Sequence, residues 1–538
     1  MSGKINYSKL MFLIADDFGS FRNTVNSMLS SLGATNVVMA ATAQEVFLQC
    51  QNKKFDVILC DYNLGAGRTG QHVLEELRHK HAISRDTIFI IVSAESSRTI
   101  VMCSYDCEPD DYLMKPITAK MLEQRINRLL KQRGIFSTAY AAIEKQDYLT
   151  ASDILIDLSM AEDRYSNFAQ KLLGTVFIRM GDLDKAERLY TRALEVRQVD
   201  WARLGLAVVK QARGDLELAG DWLEKIVADN PLYLPAYDAM ATNWDKKGEK
   251  FNVQFTVQRA VDISPMSILR QKYLAEVATE NNDLITALSA QRRSVKLGQY
   301  SCHGRAEDHF GFARISSLAV EREMDVDTNI GNEALAILDK AKEQYDLNDV
   351  QLAQCSLLAG RIHALERRED LAQSFFAAAE QILENVESNI DLDVDRVLAL
   401  QSLGDKKKVT ELLEELQTVY ADDQEALEKL DVFLDEPASD SSREFVATIN
   451  REGIELYNDA RFDEALSCFE KARKLFPKHV GIQLNMVQSL IGKMKADIGD
   501  DSVKRDCRDC LNLVESLIDD EHPQYDRYRR LRNMANSI

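Results

Sequence analysis

Two hydrophobic rhythms divide the chain. Between Leu10 and Gln132, short strand-like runs at Leu10–Ala15, Asn36–Ala40, Phe55–Cys60, Thr87–Val92 and Asp111–Met114 alternate with helically spaced stretches. Those stretches are Phe18–Leu32, Ala43–Gln51, Gly70–His79, Ser97–Tyr105 and Thr118–Gln132. The first carries Phe21, Val25, Met28, Leu29 and Leu32 on one face, and Gly33 stops it. An unbroken apolar run such as Val57-Ile58-Leu59-Cys60 reads as a strand covered on both faces, as in a parallel sheet between helices. Five strands alternating with five helices predict a doubly wound α/β domain over residues 8–133. Past Gly134 the alternation stops and helical spacing alone remains.

What ends each strand changes the picture. Asp16 and Asp17 close the first, Asp61 the third and Ser93 the fourth, while Lys115-Pro116 follows the fifth. In an open parallel sheet these ends share one edge, where ligands bind. Three carboxylates, a hydroxyl and an ammonium therefore meet there. Carboxylates held together repel unless a cation joins them, and hard oxygen ligands suit Mg²⁺.

This constellation, from Met11 to about Arg133, resembles the receiver domains of two-component response regulators, whose fold is flavodoxin-like with five parallel strands in the order 2-1-3-4-5. The resemblance implies that Asp61 accepts a phosphoryl group and that Asp16, Asp17, Asp61 and the backbone carbonyl of Asn63 hold Mg²⁺. It also implies that Ser93 is the switch hydroxyl, Tyr112 its aromatic partner and Lys115 the cation on the phosphoryl oxygens. Family members usually have a cis peptide at the position of Pro116. Chemistry supports each role. A carboxylate can attack phosphorus to give an acyl phosphate. Lys115 brings a point charge, and the new phosphate can draw Ser93 inward and let Tyr112 follow, reshaping the surface of helix Ser97–Tyr105, strand Asp111–Met114 and helix Thr118–Gln132. After Asp61 the chain departs from the usual Met-Pro turn and reads Leu64-Gly65-Ala66-Gly67-Arg68-Thr69-Gly70, which predicts a mobile loop. Asn63 and Glu95 are the residue pair of a quickly dephosphorylated family member, which favours a short-lived phosphoryl group.

The second part carries a repeat. Leu173-Gly174, Phe177, Gly181-Asp182-Leu183, Ala186, Tyr190 and Ala193-Leu194 match the tetratricopeptide pattern, apart from its first aromatic and last proline. Gly214 and Gly248 follow Gly181 at intervals of 33 and 34 residues, with Ala219, Leu223, Pro231, Tyr237, Trp244, Ala260 and Pro265 in register. A weaker unit follows near Asn282-Asp283, and Phe136–Ala161 reads as a helix pair leading in. The pattern fades between Gly298 and Leu352, where a Cys302-His303-Gly304 loop occurs. His303 and His309 near Cys302 and Asp308 would sketch a metal site, but a polar inter-repeat loop is the commoner outcome. Asp435–Ser442, acidic and serine-rich with one proline, marks a linker. After it Gly453, Tyr457, Phe462, Ala465, Phe469, Ala472 and Pro477 restore the repeat, and Tyr525–Arg532 reads as a capping helix. The expected architecture is thus multidomain: a receiver, a tetratricopeptide-like all-α solenoid over 134–434, and further repeats with a cap over 443–538. Arg179, Lys210, Arg213 and Asn243 lie on or after first helices, and a solvated face is their default.

Composition narrows the function. A net charge of −20 and a pI near 5.0 disfavour nucleic acid as a partner. The nine cysteines are scattered, and the lone C-x-x-C at Cys507 and Cys510 lacks companion ligands for zinc. Cys103 and Cys107, four apart on one helix face, read as packing residues. No signal-type core or run of about 20 apolar residues is present, so a reduced cytoplasm, without membrane insertion, is expected.

The expected function is that of a phosphorelay response regulator. A sensor histidine kinase or histidine phosphotransfer domain phosphorylates Asp61, and the repeat array engages an unnamed protein target under that control. The chain is otherwise not an enzyme and not a DNA-binding regulator, and a homodimer is left open. The alternative is a constitutive adaptor whose receiver is a phosphoryl sink or antagonist. An enzyme hidden in Gly298–Leu352 is the remote third reading.

Overall fold

The computed structural model describes residues 5–65, 67–95, 107–161, 163–324, 329–387, 389–496 and 501–537. The expected helix Ser97–Tyr105, and Cys103 with it, lie outside them. Two compact units, Met1–Tyr345 and Asp346–Ile538, make up the chain.

The first unit begins with a five-stranded parallel sheet: β1 Met11–Ala15, β2 Asn36–Ala40, β3 Val57–Asp61, β4 Ile88–Ser93 and β5 Asp111–Met114, in the order β2-β1-β3-β4-β5. Helices α1 Gly19–Ser31, α2 Ala43–Asn52, α3 Gly70–His79 and α4 Ala119–Glu144 flank it. Alternate residues of each strand feed two cores. Phe12, Ile14, Val57, Leu59, Ile88, Ile90 and Val92 pack with Val25 and Leu29 of α1 and Leu122 and Ile126 of α4. Leu13, Ala15, Ile58, Cys60, Phe89 and Ile91 pack with Val46 of α2 and Val73, Leu74 and Leu77 of α3. Both faces are therefore covered, which is why β3 and β4 are apolar along their length. Gly33 ends the α1 turn at φ +96°.

Helix α4 runs through Gly134 to Glu144 without a break, so no linker separates the sheet domain from the helices after it. The expected pair Phe136–Ala161 is present, its first member being the second half of α4, packed against α5 Tyr148–Met160. Helices α6 Ser166–Arg179, α7 Leu183–Val196, α8 Asp200–Ala212, α9 Leu216–Asp229, α10 Leu234–Lys246, α11 Lys250–Ile263, α12 Ile268–Glu280, α13 Leu284–Gly298, α14 Ala306–Glu321 and α15 Ile330–Gln344 complete the unit.

One turn recurs between these helices. At Gln146, Gly181, Gly214, Gly248 and Asn282 the backbone enters the left-handed region, at intervals of 35, 33, 34 and 34 residues. Each time the next residue's N–H reaches back to a carbonyl five residues earlier: Asp147 to Ala142, Asp182 to Phe177, Asp215 to Lys210, Glu249 to Trp244 and Asp283 to Ala278. This closes one helix and starts the next. Asp147, Asp182 and Asp283 then cap the following helix with their side chains. Two of the five turns lack glycine: Asn282 lies at the weaker unit expected near Asn282-Asp283, and Gln146 carries no glycine signal. Asn243, expected on a solvated face, is instead fully buried; its amide donates to the Leu216 carbonyl at 2.9 Å and its oxygen accepts from Gln211 at 3.3 Å. Lys210 and Arg213 are both paired with Glu187.

The second unit is wholly helical among its described residues, from Asp349–Leu365 to Tyr525–Asn536. Left-handed residues at Arg367, Gly404 and Ala460 repeat the same turn. The segment Asp435–Ser442 is no free linker. Asp431 accepts from the Ala438 N–H at 2.6 Å and the Ser439 hydroxyl at 2.5 Å, and both residues are buried. A composition of serine and acid marks a capped turn as readily as a tether. Cys507 and Cys510 are buried among the core residues of this unit, consistent with packing.

No helix among the described residues is long and apolar enough to cross a membrane.

Candidate functional site

Strand register brings the polar ends together. Ala15 pairs with Cys60, Asp61 with Val92, and Ser93 with Met114, so the residues that follow β1, β3, β4 and β5 emerge at the same level. Carboxylate oxygens of Asp16, Asp17 and Asp61 lie within 4.8 Å of one another, Asp16 and Asp61 buried and Asp17 exposed. The Lys115 ammonium spans two of them, 2.7 Å from Asp16 Oδ2 and 3.0 Å from Asp61 Oδ1. Lys115 is placed by its own N–H, which donates to the Ser93 carbonyl at 2.7 Å, and the Lys115-Pro116 peptide is cis.

Burial is the largest influence on Asp61 and raises its pKa; the bond and charge of Lys115 oppose this, while Asp16 and Asp17 add to it. Burial also disfavours the Lys115 cation, but its bonds to Asp16 and Asp61 outweigh that and hold its pKa above the ordinary value. The site thus stores unrelieved negative charge around a single ammonium. A set of hard carboxylate oxygens with that deficit fits Mg²⁺.

Ser93 is buried, and its hydroxyl accepts from the Glu95 N–H at 3.0 Å. The Tyr112 hydroxyl donates to the Glu95 carbonyl at 3.0 Å, so Ser93 and Tyr112 grip the same segment. Asn63 is exposed, and its amide donates to the Glu95 carboxylate at 3.2 Å, linking the ends of the segments that follow β3 and β4. After Asn63 the loop returns tightly: Asn63 bridges Thr69, and the Gly70 N–H reaches the Tyr62 carbonyl at 2.7 Å. A Cβ on Gly70 would lie 2.4 Å from the Asp61 carbonyl oxygen, which is why glycine opens α3. The expectation of a mobile loop meets a clasped base there.

Two contributors escaped the sequence reading. Phe21 is not only a packing residue of α1, since the Lys115 ammonium sits 4.1 Å from its ring centroid. Arg22 donates to the Asp16 carbonyl from the same helix. Hydrophobic spacing marks such a phenylalanine as core and is blind to a cation above it.

Lys115→Met leaves Asp16 and Asp61 facing each other without a counter-charge. The melting temperature at neutral pH is expected to fall by roughly 3–6 °C, with Mg²⁺ restoring part of it. Thermal denaturation with and without Mg²⁺ checks this.

Residues 12–127 match the response regulator receiver domain. The chemotaxis protein CheY of Pseudomonas aeruginosa is 26% identical over 123 residues, covering 23% of this chain and 98% of that protein. The transcriptional regulatory protein CiaR of Streptococcus pneumoniae is 29% identical over 167 residues, covering 31% of this chain and 68% of its own length. A tetratricopeptide repeat protein from Parabacteroides merdae is 14% identical, with a TM-score of 0.28, over 50% of this chain and 98% of that one. The chain therefore carries an N-terminal receiver domain joined to a large all-helical part. The receiver match supports that domain's own phosphorylation and dephosphorylation chemistry. Likeness to response regulators supports a phosphoryl-accepting role.

Proposed function

We propose that Asp61 accepts a phosphoryl group from a histidine kinase or histidine phosphotransfer domain and that the helical part is a tetratricopeptide-like scaffold whose protein binding follows that event. The observation that carries the first half is Lys115 bridging Asp16 and Asp61 at the shared end of three strands, with Asp17 in the same cluster. The Asp61 carboxylate attacks phosphorus as the bond to the donor's nitrogen breaks, leaving an acyl phosphate. Lys115 moves from Asp61's lost charge to the phosphoryl oxygens. Mg²⁺, held by Asp16, Asp17, Asp61 and the Asn63 carbonyl, supplies charge neutralisation at those oxygens. Ser93 gives up its bond from the Glu95 N–H to reach the phosphate, and Tyr112, tied to the same residue, follows.

The second half rests on the recurring turn at intervals near 34 residues and on the glycine and tyrosine contacts between successive helices. The receiver then spans 8–133 and the array 134–434 and 443–538, with a cytoplasmic location. The acidic charge argues against DNA as the target.

Acetyl phosphate with Mg²⁺ is expected to label the intact chain, and EDTA to prevent it; equal labelling under both conditions rules out the metal-assisted acceptor. A pull-down with and without beryllofluoride then tests the output. A partner set that changes supports control of the array, and one that stays the same while kinase phosphate is drained makes the receiver a sink.

A further inference from the structure

The Cys302-His303 loop meets a histidine that the sequence did not pair with it. His309 is buried, with its ring against Tyr345, and Asp308 is held by Lys272 at 2.8 Å. The group that forms is His79, Cys302 and His303, one ligand atom from each lying within 4.8 Å of the others. His79 ends α3 of the receiver, whereas the other two belong to the turn between α13 and α14. The two imidazoles meet edge to face at 5.3 Å.

We propose that His79, Cys302 and His303 bind one Zn²⁺ that ties the receiver's α3 to the array, with a water in the fourth position. One thiolate and two imidazoles suit this borderline-soft ion and not Mg²⁺ or Ca²⁺. Tetrahedral Zn–N and Zn–S bonds put ligand atoms roughly 3.5 Å apart. The triad closes to that spacing by side-chain rotation, which the exposed His79 is free to make.

The loop is built to hold its two ligands in place. The Lys272 ammonium donates to the His303 carbonyl at 2.6 Å, and the His303 N–H donates to the Ser301 hydroxyl at 3.2 Å. Gly298 and Gly304 let the turn fold onto itself, for a Cβ on Gly304 would lie 2.1 Å from the Gly298 carbonyl oxygen. From the receiver side, Glu75 lies one helical turn before His79 on the same face. One of its oxygens accepts from the Ser301 hydroxyl at 3.1 Å, and the other is 3.5 Å from His303 Nε2. A carboxylate behind a ligating imidazole orients it and strengthens it as a ligand. Glu75 is therefore a positioning residue for His303.

The test uses the full-length chain without an affinity tag, stripped with EDTA and kept in millimolar Mg²⁺ so that the carboxylate site is occupied. Titration with Zn²⁺ against a chromophoric chelator is expected to give one tight ion per chain, and Co²⁺ to give a thiolate charge-transfer band. His79→Ala, an exposed change, and Cys302→Ser are each expected to weaken binding by more than about tenfold, and Glu75→Gln by about tenfold. Cys507→Ser/Cys510→Ser serves as the control and is expected to bind as the parent does. Absence of the Co²⁺ band, tight binding that survives both triad substitutions, or loss of the ion in the control would each overturn the assignment.

Discussion

Asp61→Asn is expected to abolish phosphoryl uptake from acetyl phosphate, lowering labelling by more than about a hundredfold, and at the same time to raise the melting temperature at neutral pH. The first effect follows from removing the nucleophile; the amide is nearly isosteric but cannot form the acyl phosphate. The second follows from electrostatics. Burial, together with Asp16 and Asp17, raises the Asp61 pKa despite Lys115. A carboxyl with a raised folded pKa favours the fold while protonated, and that advantage is lost as pH rises from the ordinary carboxylate range through the folded value. Above that window the ionised group burdens the native state, and the neutral amide does not. The gap between variant and parent should therefore open with rising pH and close on acidification, and Mg²⁺ should narrow it by stabilising the parent more. A parallel series of melts from pH 4 to 8, with and without Mg²⁺, reads all three trends. Labelling that survives in Asp61→Asn would move the acceptor elsewhere, and a melting temperature that falls at pH 7 would mean that the Lys115 pair outweighs the desolvation.

The sheet was legible because burial on both faces writes itself as unbroken apolar runs. Each of β1 to β5 lies within about two residues of the run that announced it, and the acids and the lysine follow those runs directly. What joins one element to another was harder to read. Gly134 suggested a boundary, yet α4 passes through it, because a single glycine costs a long helix only about 1 kcal/mol and packing of Phe136 and Tyr140 on α5 and α6 exceeds that. His79 and His303 are far apart in sequence and carry no spacing signal, so only the folded chain shows them side by side. The left-handed turn at Gln146 escaped for a related reason, and the one at Asn282 marked only a weaker unit: a fixed hydrogen-bonding frame imposes the conformation, and glycine eases it without being required.

Tyr190→Ala is expected to destabilise the first unit by about 3–5 kcal/mol, the range for loss of a large buried aromatic side chain. Its ring, 3% exposed, lies between α6 and α8 where glycines admit it: a Cβ on Gly174 would come 2.5 Å from the ring, and one on Gly205 2.2 Å. It also meets Trp201 edge to face at 6.0 Å. Gly205→Ala alone should cost about 1–3 kcal/mol, because the methyl must displace a ring packed on every side. The two changes are not independent. Once Tyr190 is alanine the methyl at 205 enters vacated space, the clash disappears, and the better helix propensity of alanine, about 1 kcal/mol, is recovered. The double variant should thus be more stable than Tyr190→Ala alone, a reversal of sign that a merely additive pair cannot give. Tyr190→Phe keeps the ring and should lie within about 1 kcal/mol of the parent. All three tryptophans, Trp201, Trp222 and Trp244, belong to this stretch, so their fluorescence follows its unfolding in urea separately from the second unit. A double variant no more stable than the single one would mean that α6 and α8 do not close around Tyr190, and the helix-to-helix packing on which the repeat reading rests would lose its central contact.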